Sequence, residues 1–410
     1  MATPATDLRP RLAALPGMGA LLSALADVEA PAYLVGGAVR DLLRGDRSVD
    51  LDLAVEGDAV ATADLLAERL GARAVAHERF GTATVRSDSL VVDLAATRCE
   101  VYAHPGALPT VEPAPLAEDL RRRDFSVNAM AIGLSAPSPG ELHDPVGGRA
   151  DLDVGLIRVL HPGSFLDDPT RLLRALRYES RLEFSLERDT DRLAREAAAC
   201  GALSTVSLAR IGVELMDLLA EPAAPDSVAR LAELGLDRAL HPAICADPEV
   251  VASAKLAALE TGANPVLSAL AALWSARPEA ASGWIEGLGL PAPDRDAVLR
   301  AAGRARGLAN ELRAPLRASE LRELLQGEPA EALALALALG APADPVLHYF
   351  GGLGSVGLEI TGADLLAAGL PPSPAIGMAL RETLRRKLDG ELSGRDEELR
   401  AALGLAREAT

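Results

Sequence analysis

Tyr33-Leu-Val-Gly-Gly-Ala-Val-Arg-Asp41, followed within ten residues by Asp50-Leu-Asp52, is the stretch from which fold and chemistry are best read. Tyr33 to Val35 form a short apolar run with strand character. Gly36 and Gly37 then turn the chain into a helix beginning near Ala38, whose free N–H groups and positive dipole end suit a phosphate. Lacking side chains, the two glycines let the backbone approach a triphosphate closely. Val49-Asp50-Leu51-Asp52-Leu53-Ala54-Val55 alternates as a strand, and a period of two puts both aspartates on one face. Such a pair is a poor core and a good partner for Mg²⁺, which takes oxygen ligands and accepts substrate phosphates as the remainder. A phosphate cradle beside a carboxylate pair is the arrangement that nucleotidyl transfer needs.

Each element alone has a plainer reading. A Gly-Gly between strand and helix is often just a tight connection, and an Asp-x-Asp is often a solvated edge. Their order and spacing favour the site. Leu90-Val-Val-Asp93-Leu-Ala adds another short apolar strand interrupted by one acid. Asp93 reads either as an edge-strand charge or as the third carboxylate, with Asp50 and Asp52, of a two-metal site.

Composition sets the limits. The chain has 410 residues, enough for two to four units, and 49% apolar residues supply ample core. Aromatics are only 3%, so the cores must be built from Ala, Leu and Val. A net charge of −18 excludes a general polyanion binder. RNA binding then requires a local arginine-rich surface, for which Arg121, Arg122 and Arg123 are the candidates. Cys99, Cys200 and Cys245 show no metal-ligand spacing and fit a reduced, cytoplasmic protein. No signal pattern and no 18-residue apolar run is evident, so no membrane partner is expected.

The expected fold class is α+β: a mixed-sheet head followed by all-α modules. Residues 8–29 read as a helix leading into the first strand, and residues 31–135 alternate short strands with helices. Tyr102 to Pro115, with four prolines and a glycine, is expected to be irregular and to form a loop over the site. Beyond Asp168 the pattern is almost wholly helical. Glu331-Ala-Leu-Ala-Leu-Ala-Leu-Ala-Leu339 alternates like a strand, but its composition predicts a buried helix.

Glu118-Asp-Leu-Arg-Arg-Arg-Asp124-Phe-Ser-Val-Asn128-Ala-Met-Ala131 resembles the RRDFT-x-NAMA signature of tRNA nucleotidyltransferases (the CCA-adding enzymes) and bacterial poly(A) polymerases. These form class II within the DNA polymerase β superfamily. Phe80-Gly-Thr-Ala-Thr-Val, Thr97-Arg98-Cys-Glu100-Val-Tyr102 and Asp144-Pro-Val-Gly-Gly148 match the same family. So does Asp167-Asp168-Pro-Thr-Arg171-Leu-Leu-Arg174, which corresponds to its ED-x-x-R-x-x-R motif. The likeness is dense over residues 31–215 and faint beyond.

The resemblance implies a catalytic head at 1–148, a neck with the nucleotide-selecting motif at 149–220, a body at 221–345 and a tRNA-contacting tail at 346–410. It implies Mg²⁺ held by Asp50, Asp52 and Asp93 in a two-metal site, CTP and ATP as substrates, tRNA as partner and no DNA. Gly36, Gly37 and Arg40 would shape the triphosphate site, Arg123 and Asp124 would contact ribose and phosphates, and Asn128 would position backbone or substrate. From the residues alone Asp168 reads as a helix N-cap with Pro169 at the first helical position; by the resemblance Asp168 and Arg171 would instead read the incoming base, with Arg174 beside them. Cytosine and adenine each present an amino donor beside a ring-nitrogen acceptor, which a carboxylate and a guanidinium match; uracil and guanine reverse that pattern. Asp167 stands where the family has Glu and is expected to support. Arg210 and Glu214 are expected to brace the neck. The doublet His143-Asp144 reads as a loop before Pro145 rather than a phosphohydrolase site.

The terminal sequence made stays open. Full CCA addition ranks first, A-addition after a CC-adding partner second and poly(A) synthesis third, while the length of the Tyr102–Pro115 segment argues against CC-only addition. A non-catalytic RNA-binding protein on the same scaffold is the rival from another class.

Overall fold

Ala32-Tyr-Leu-Val35 carries one polar atom, the Tyr33 hydroxyl, and every residue of the strand it forms is buried. A strand with no solvent face needs neighbours on both sides, and it has them. In the computed structural model, which describes residues 7–26, 28–46, 50–77, 81–88 and 90–408, the chain forms two compact units. One comprises Met1–Ala223 with Arg230–Leu240, and the other Ala224–Ala229 with His241–Thr410.

The strands of the first unit are β1 (Ala32–Val35), β2 (Leu51–Val55), β3 (Arg73–His77), β4 (Thr82–Arg86), β5 (Val91–Ala96), β6 (Arg98–Val101), β7 (Thr110–Pro113), β8 (Ala131–Gly133) and β9 (Leu142–His143). Seven of them make one sheet in the order β3-β4-β5-β2-β1-β8-β9. Its pairings are antiparallel except β2 with β5, which run parallel with Asp52 opposite Asp93. Helices α1 (Arg9–Ala13), α2 (Met18–Leu25), α3 (Gly37–Arg44) and α4 (Ala59–Leu70) complete the early head. Asp58 caps α4 by accepting from the backbone N–H groups of Val60 and Ala61, both at 3.0 Å. The buried stripe Ala59, Ala63 and Leu66 lets α4 cover one sheet face, where Ala83, Val85, Val92 and Leu94 are buried. The opposite face stays open, and Asp52 and Asp93 are exposed on it.

Two readings of the head are corrected. Residues 8–29 are not one helix: α1 and α2 are separated at Pro16-Gly17, where Gly17 adopts φ +74°. The Tyr102–Pro115 segment is not wholly irregular, since Thr110–Pro113 pairs as β7 with β6. Pro113 is tolerated at the strand's end, opposite Arg98, because no further rung needs its missing N–H. Val49 and Phe80 lie outside the described residues.

Past the sheet come α5 (Leu116–Arg121), α6 (Gly148–Val154), α7 (Ser164–Asp167), α8 (Arg171–Leu182), α9 (Arg188–Ala199) and α10 (Leu208–Ala220). The strand signal does not vanish there, because Leu156–Ile157 and Ser185–Leu186 make a small parallel pair. The second unit is helical. Its Ala/Leu tract forms a helix over Ala330–Ala338, buried from Ala332 to Ala336, as composition requires of a helix apolar all round. Helices Pro248–Thr261 and Ala292–Glu311 pack against it. Among the described residues no helix is long and apolar enough to cross a membrane.

Candidate nucleotide and metal site

The glycine turn works as the spacing predicts. Gly36 has φ +69°, a value L side chains rarely adopt, and a Cβ there would lie 2.9 Å from Arg123 Nη1. Gly36, Gly37 and Ala38 bring the start of α3 to the wall of a cavity of about 440 Å³. Asp50, Asp52, Arg40, Arg122, Arg123, Asp124, Asn128, Asp168, Arg171 and Arg174 line the same cavity. Head and neck residues predicted from separate motifs are thus brought together.

The acids are less tightly grouped than their spacing suggests. β2 begins at Leu51, and the Asp52 N–H bonds back to the Asp50 carbonyl at 3.2 Å, so Asp50 sits in a turn ahead of the strand rather than in its alternation. Asp50 and Asp52 share the first cavity, whereas Asp52 and Asp93 share a second of about 340 Å³. Among the described residues no three acidic, His or Cys side chains close into a ligand set, and the three carboxylates meet only in pairs, each with Asp52. Desolvation, then the negative charges of Asp93 and Asp50, push the Asp52 carboxyl above its ordinary value against the pull of Arg123. Oxygen donors that repel one another in this way fit a divalent cation. Thr84 Oγ1 donates to Asp93 at 2.5 Å and fixes that carboxylate.

The arginines are held firmly. Arg40, 3% exposed, donates to Asp41 at 2.8 and 2.9 Å and to Asn128 Oδ1 at 2.6 Å. It does not pair with the Asp50–Asp52 acids, because its neighbour Asp41 takes its charge. Asn128 Nδ2 donates in turn to Asp124 at 3.0 Å, and Asp124 accepts from Arg174 at 2.7 and 3.0 Å. Arg174 also reaches Glu214 at 3.1 Å, so Asp124 and Glu214 clamp it. Burial alone would raise the Asp124 carboxyl; the Arg174 charge and the Asn128 amide outweigh it and hold the group below the carboxylate range. Arg122 binds Asp119 and Glu100, each at 2.7 Å, and Arg123 binds Asp119 at 3.0 Å. Arg121 is exposed and does not line the cavity.

The helix-cap reading of Asp168 is corrected. Asp168 is not the N-cap of α8; that helix starts at Arg171 after Thr170. Asp168 Oδ1 accepts from the Thr170 N–H (3.1 Å), the Thr170 hydroxyl (2.7 Å) and Arg210 Nη2 (2.8 Å), and Oδ2 carries none of these bonds. Arg171 donates to Ser164 Oγ at 2.6 Å and to the Arg122 carbonyl at 2.9 Å. The two side chains therefore face one cavity while each is oriented by other partners. Arg210, expected only as a brace, also donates to the Gly106 carbonyl at 3.2 Å and so ties the 102–115 segment to Asp168.

Tyr178, Tyr102, Glu100 and Arg181 line the cavity although none was given a role in it. Tyr178 could have been found, because it follows Arg171 and Arg174 at helical spacings of seven and four. Its ring lies 5.3 Å from the Arg40 guanidinium and 5.6 Å from that of Arg174. His143 belongs to β9 and meets Ser138 Oγ at 2.9 Å, while Asp144 accepts from the Gly148 N–H at 2.7 Å, capping α6.

Comparison with known proteins bears on this geometry. Residues 32–158 match the Poly A polymerase head domain, and residues 183–247 match the probable RNA and SrmB-binding site of polymerase A. The chain is 34% identical over 396 residues to the CC-adding tRNA nucleotidyltransferase of Deinococcus radiodurans, covering 95% of this chain and 94% of that protein. The chain belongs to the class II tRNA nucleotidyltransferase and poly(A) polymerase family. It is also 36% identical over 423 residues to the A-adding tRNA nucleotidyltransferase of Geobacter sulfurreducens, which covers 98% of this chain. There the chain spans about half the relative's length, 48%. Among solved structures, the Thermotoga maritima CCA-adding enzyme complexed with tRNA superposes with a TM-score of 0.79 at 29% identity, covering 98% of this chain and 99% of that one. Heads of this family generally use divalent metals.

Proposed function

We propose that the chain is a Mg²⁺-dependent tRNA nucleotidyltransferase that adds C and A residues to the tRNA 3′ end from CTP and ATP. The observation that carries this reading is the convergence of the glycine turn, Asp50, Asp52 and the Asp168–Arg171 pair on one cavity. The tRNA 3′-hydroxyl attacks the α-phosphate and pyrophosphate leaves. Gly36, Gly37 and the start of α3 take the triphosphate, and Arg123 meets its negative charge. Asp50, Asp52 and Asp93 would hold Mg²⁺, which in a two-metal site activates the attacking oxygen and steadies the leaving group. The free Oδ2 of Asp168 accepts the exocyclic amino group of C or A, and Arg171 donates to the ring nitrogen. Uracil or guanine leaves both groups mispaired in a confined site.

In this reading residues 1–148 are the catalytic head, 149–220 the neck, 221–345 the body and 346–410 a tail that contacts tRNA, all working in the cytoplasm. A second reading, addition of the terminal A alone, is favoured by the likeness to the A-adding Geobacter protein. Incubation with tRNAs ending at the discriminator base, at C and at CC, with each nucleotide singly and together, separates the two. Extension of the first substrate to CCA is the expected result. Activity confined to the CC-ended tRNA selects A-addition, and a long A-tract on unrelated RNA overturns both.

A further inference from the structure

Arg73 on β3 and Arg86 on β4 stand directly opposite each other. They share the open sheet face with the acids: Thr84, two residues before Arg86, is in register with Asp93, and Asp93 with Asp52. Among the described residues neither guanidinium has an acidic or carbonyl partner. Like charges directly opposite on a sheet are destabilising, so the pair is tolerated at some cost. The plainer reading is a solvated face. Two observations go against it. Val75 and Val91, 57% and 45% exposed, flank the arginines in register, which leaves apolar surface open where a solvated face would carry polar groups. Arg73, Val75, Thr84 and Arg86 also line a cavity of about 310 Å³.

That cavity continues the site. Thr84 is a wall both of it and of the cavity holding Asp52 and Asp93, which in turn shares Asp52, Arg122 and Arg123 with the glycine-turn cavity. Three hollows thus run in sequence, from phosphate cradle to carboxylates to arginine pair. Two residues along a strand separate the Asp93 row from the Arg86 row, about 7 Å. The nucleotide triphosphate belongs at the first hollow. What arrives at the carboxylates from the other side is the accepting RNA strand.

We propose that Arg73 and Arg86 form a phosphate-binding pair for the accepting RNA strand just upstream of its 3′-hydroxyl, with Val75 and Val91 as an apolar floor beneath the sugars and bases. This rests on the nucleotidyltransferase reading for the identity of the strand. Arginine suits the task, since its planar fork meets phosphate oxygens in pairs and stays charged.

The test is fluorescence anisotropy of labelled tRNA lacking its terminal CCA, over a series of salt concentrations, with the wild-type full chain, the Arg73→Gln/Arg86→Gln variant and the Arg73→Lys/Arg86→Lys variant. The glutamine variant should bind about tenfold more weakly, and its log–log salt dependence should be shallower by about 1.4 to 1.8, the range for two phosphate contacts between single-strand and duplex values. The lysine variant should keep most of the wild-type slope, because a point charge still meets a phosphate. Thermal melting of each variant checks folding; should the glutamine variant unfold, Arg86→Gln alone should lose about half of the slope change. Unaltered RNA affinity and slope in a folded glutamine variant overturn the proposal. So does a loss of ATP and CTP affinity with RNA binding intact, which would place the pair on the nucleotide. Binding is read without chemistry, so a wild-type chain that binds tRNA and extends none defeats the nucleotidyltransferase reading instead.

Discussion

The site has two walls built on opposite principles. On one side, Arg40, Arg122, Arg171 and Arg174 are each anchored by two or more hydrogen bonds to acids, an amide, a hydroxyl or a carbonyl. On the sheet side, Asp52 and Asp93 face each other across a parallel pair, and among the described residues neither forms an ion pair. The arginine wall is complete before any ligand arrives. The acidic wall is complete only when positive charge is supplied, and until then burial and the charges of Asp93 and Asp50 push the Asp52 carboxyl upward. A wall that satisfies itself can orient; a wall left in deficit can bind. The difference is set by neighbours: Asp41, Asp119, Asp124 and Glu214 neutralise Arg40, Arg122 and Arg174, and neutral oxygens hold Arg171, whereas Arg123, the cation that acts on Asp52, is itself committed to Asp119.

Breaking the acidic wall should have the largest effect on chemistry and the smallest on folding. Asp50→Ala with Asp52→Ala should lower incorporation of labelled ATP into tRNA on the order of 10⁴-fold, about 5.4 kcal/mol of barrier. The melting temperature should hold or rise, since repulsion is relieved. Unchanged incorporation would end the metal-site proposal.

Breaking the arginine wall should do the reverse. Asp124→Ala leaves Arg174 half-buried with Glu214 alone and should cost about 3–5 kcal/mol in urea unfolding. The same group predicts an acid limit. Its folded pKa lies below the ordinary 3.8, so its stabilisation is present above that value and fades as pH falls through the depressed folded pKa. Asp124→Asn should flatten that part of the pH–stability curve, and an unchanged acid limb would remove Asp124 from the account.

Asp168→Ala sharpens the contrast, because Asp168 belongs to the ordered wall and still keeps one oxygen free. Its loss should reduce discrimination of ATP and CTP against UTP about a hundredfold, about 2.7 kcal/mol. If only stability falls while UTP stays excluded, Asp168 serves Thr170 and Arg210 alone. Gly36→Ala probes the hinge between the walls. The strained φ and the 2.9 Å approach of Arg123 should cost about 1–3 kcal/mol in unfolding and weaken nucleotide binding through displacement of Arg123. A wild-type nucleotide affinity would separate that arginine from the triphosphate.

Local features were legible in the sequence. The strand, the glycine turn and α3 are encoded within a dozen residues, and composition alone decides the Ala/Leu helix at Ala330–Ala338. What the sequence hid was partnership. Nothing around Arg40 announces that Asn128 bridges it to Asp124, since that link depends on distant elements meeting, and the adjacent Asp41 was not read as the group that takes its charge. The proline count concealed β7, because a two-stranded hairpin needs few N–H donors and Pro113 falls at its end. Asp168 looked like a cap since Asp-Pro often begins a helix, yet α8 starts two residues later and the carboxylate is shared between Thr170 and Arg210. The acids were found individually, and the turn at Asp50 that divides them between two cavities was not.

The parallel pairing of β2 with β5 has a consequence for how the molecule comes into being. Antiparallel neighbours can zip from a short turn, but a parallel pair must wait for a crossover, here α4 with the β3–β4 hairpin, to fold back first. Contacts between residues so far apart along the chain are slow to form, because loop entropy is lost before they reward it. Asp52 and Asp93 meet only through that rung. A partly folded or truncated head therefore lacks the Asp52–Asp93 pair, which forms only after two strands separated by a helix and a hairpin have met.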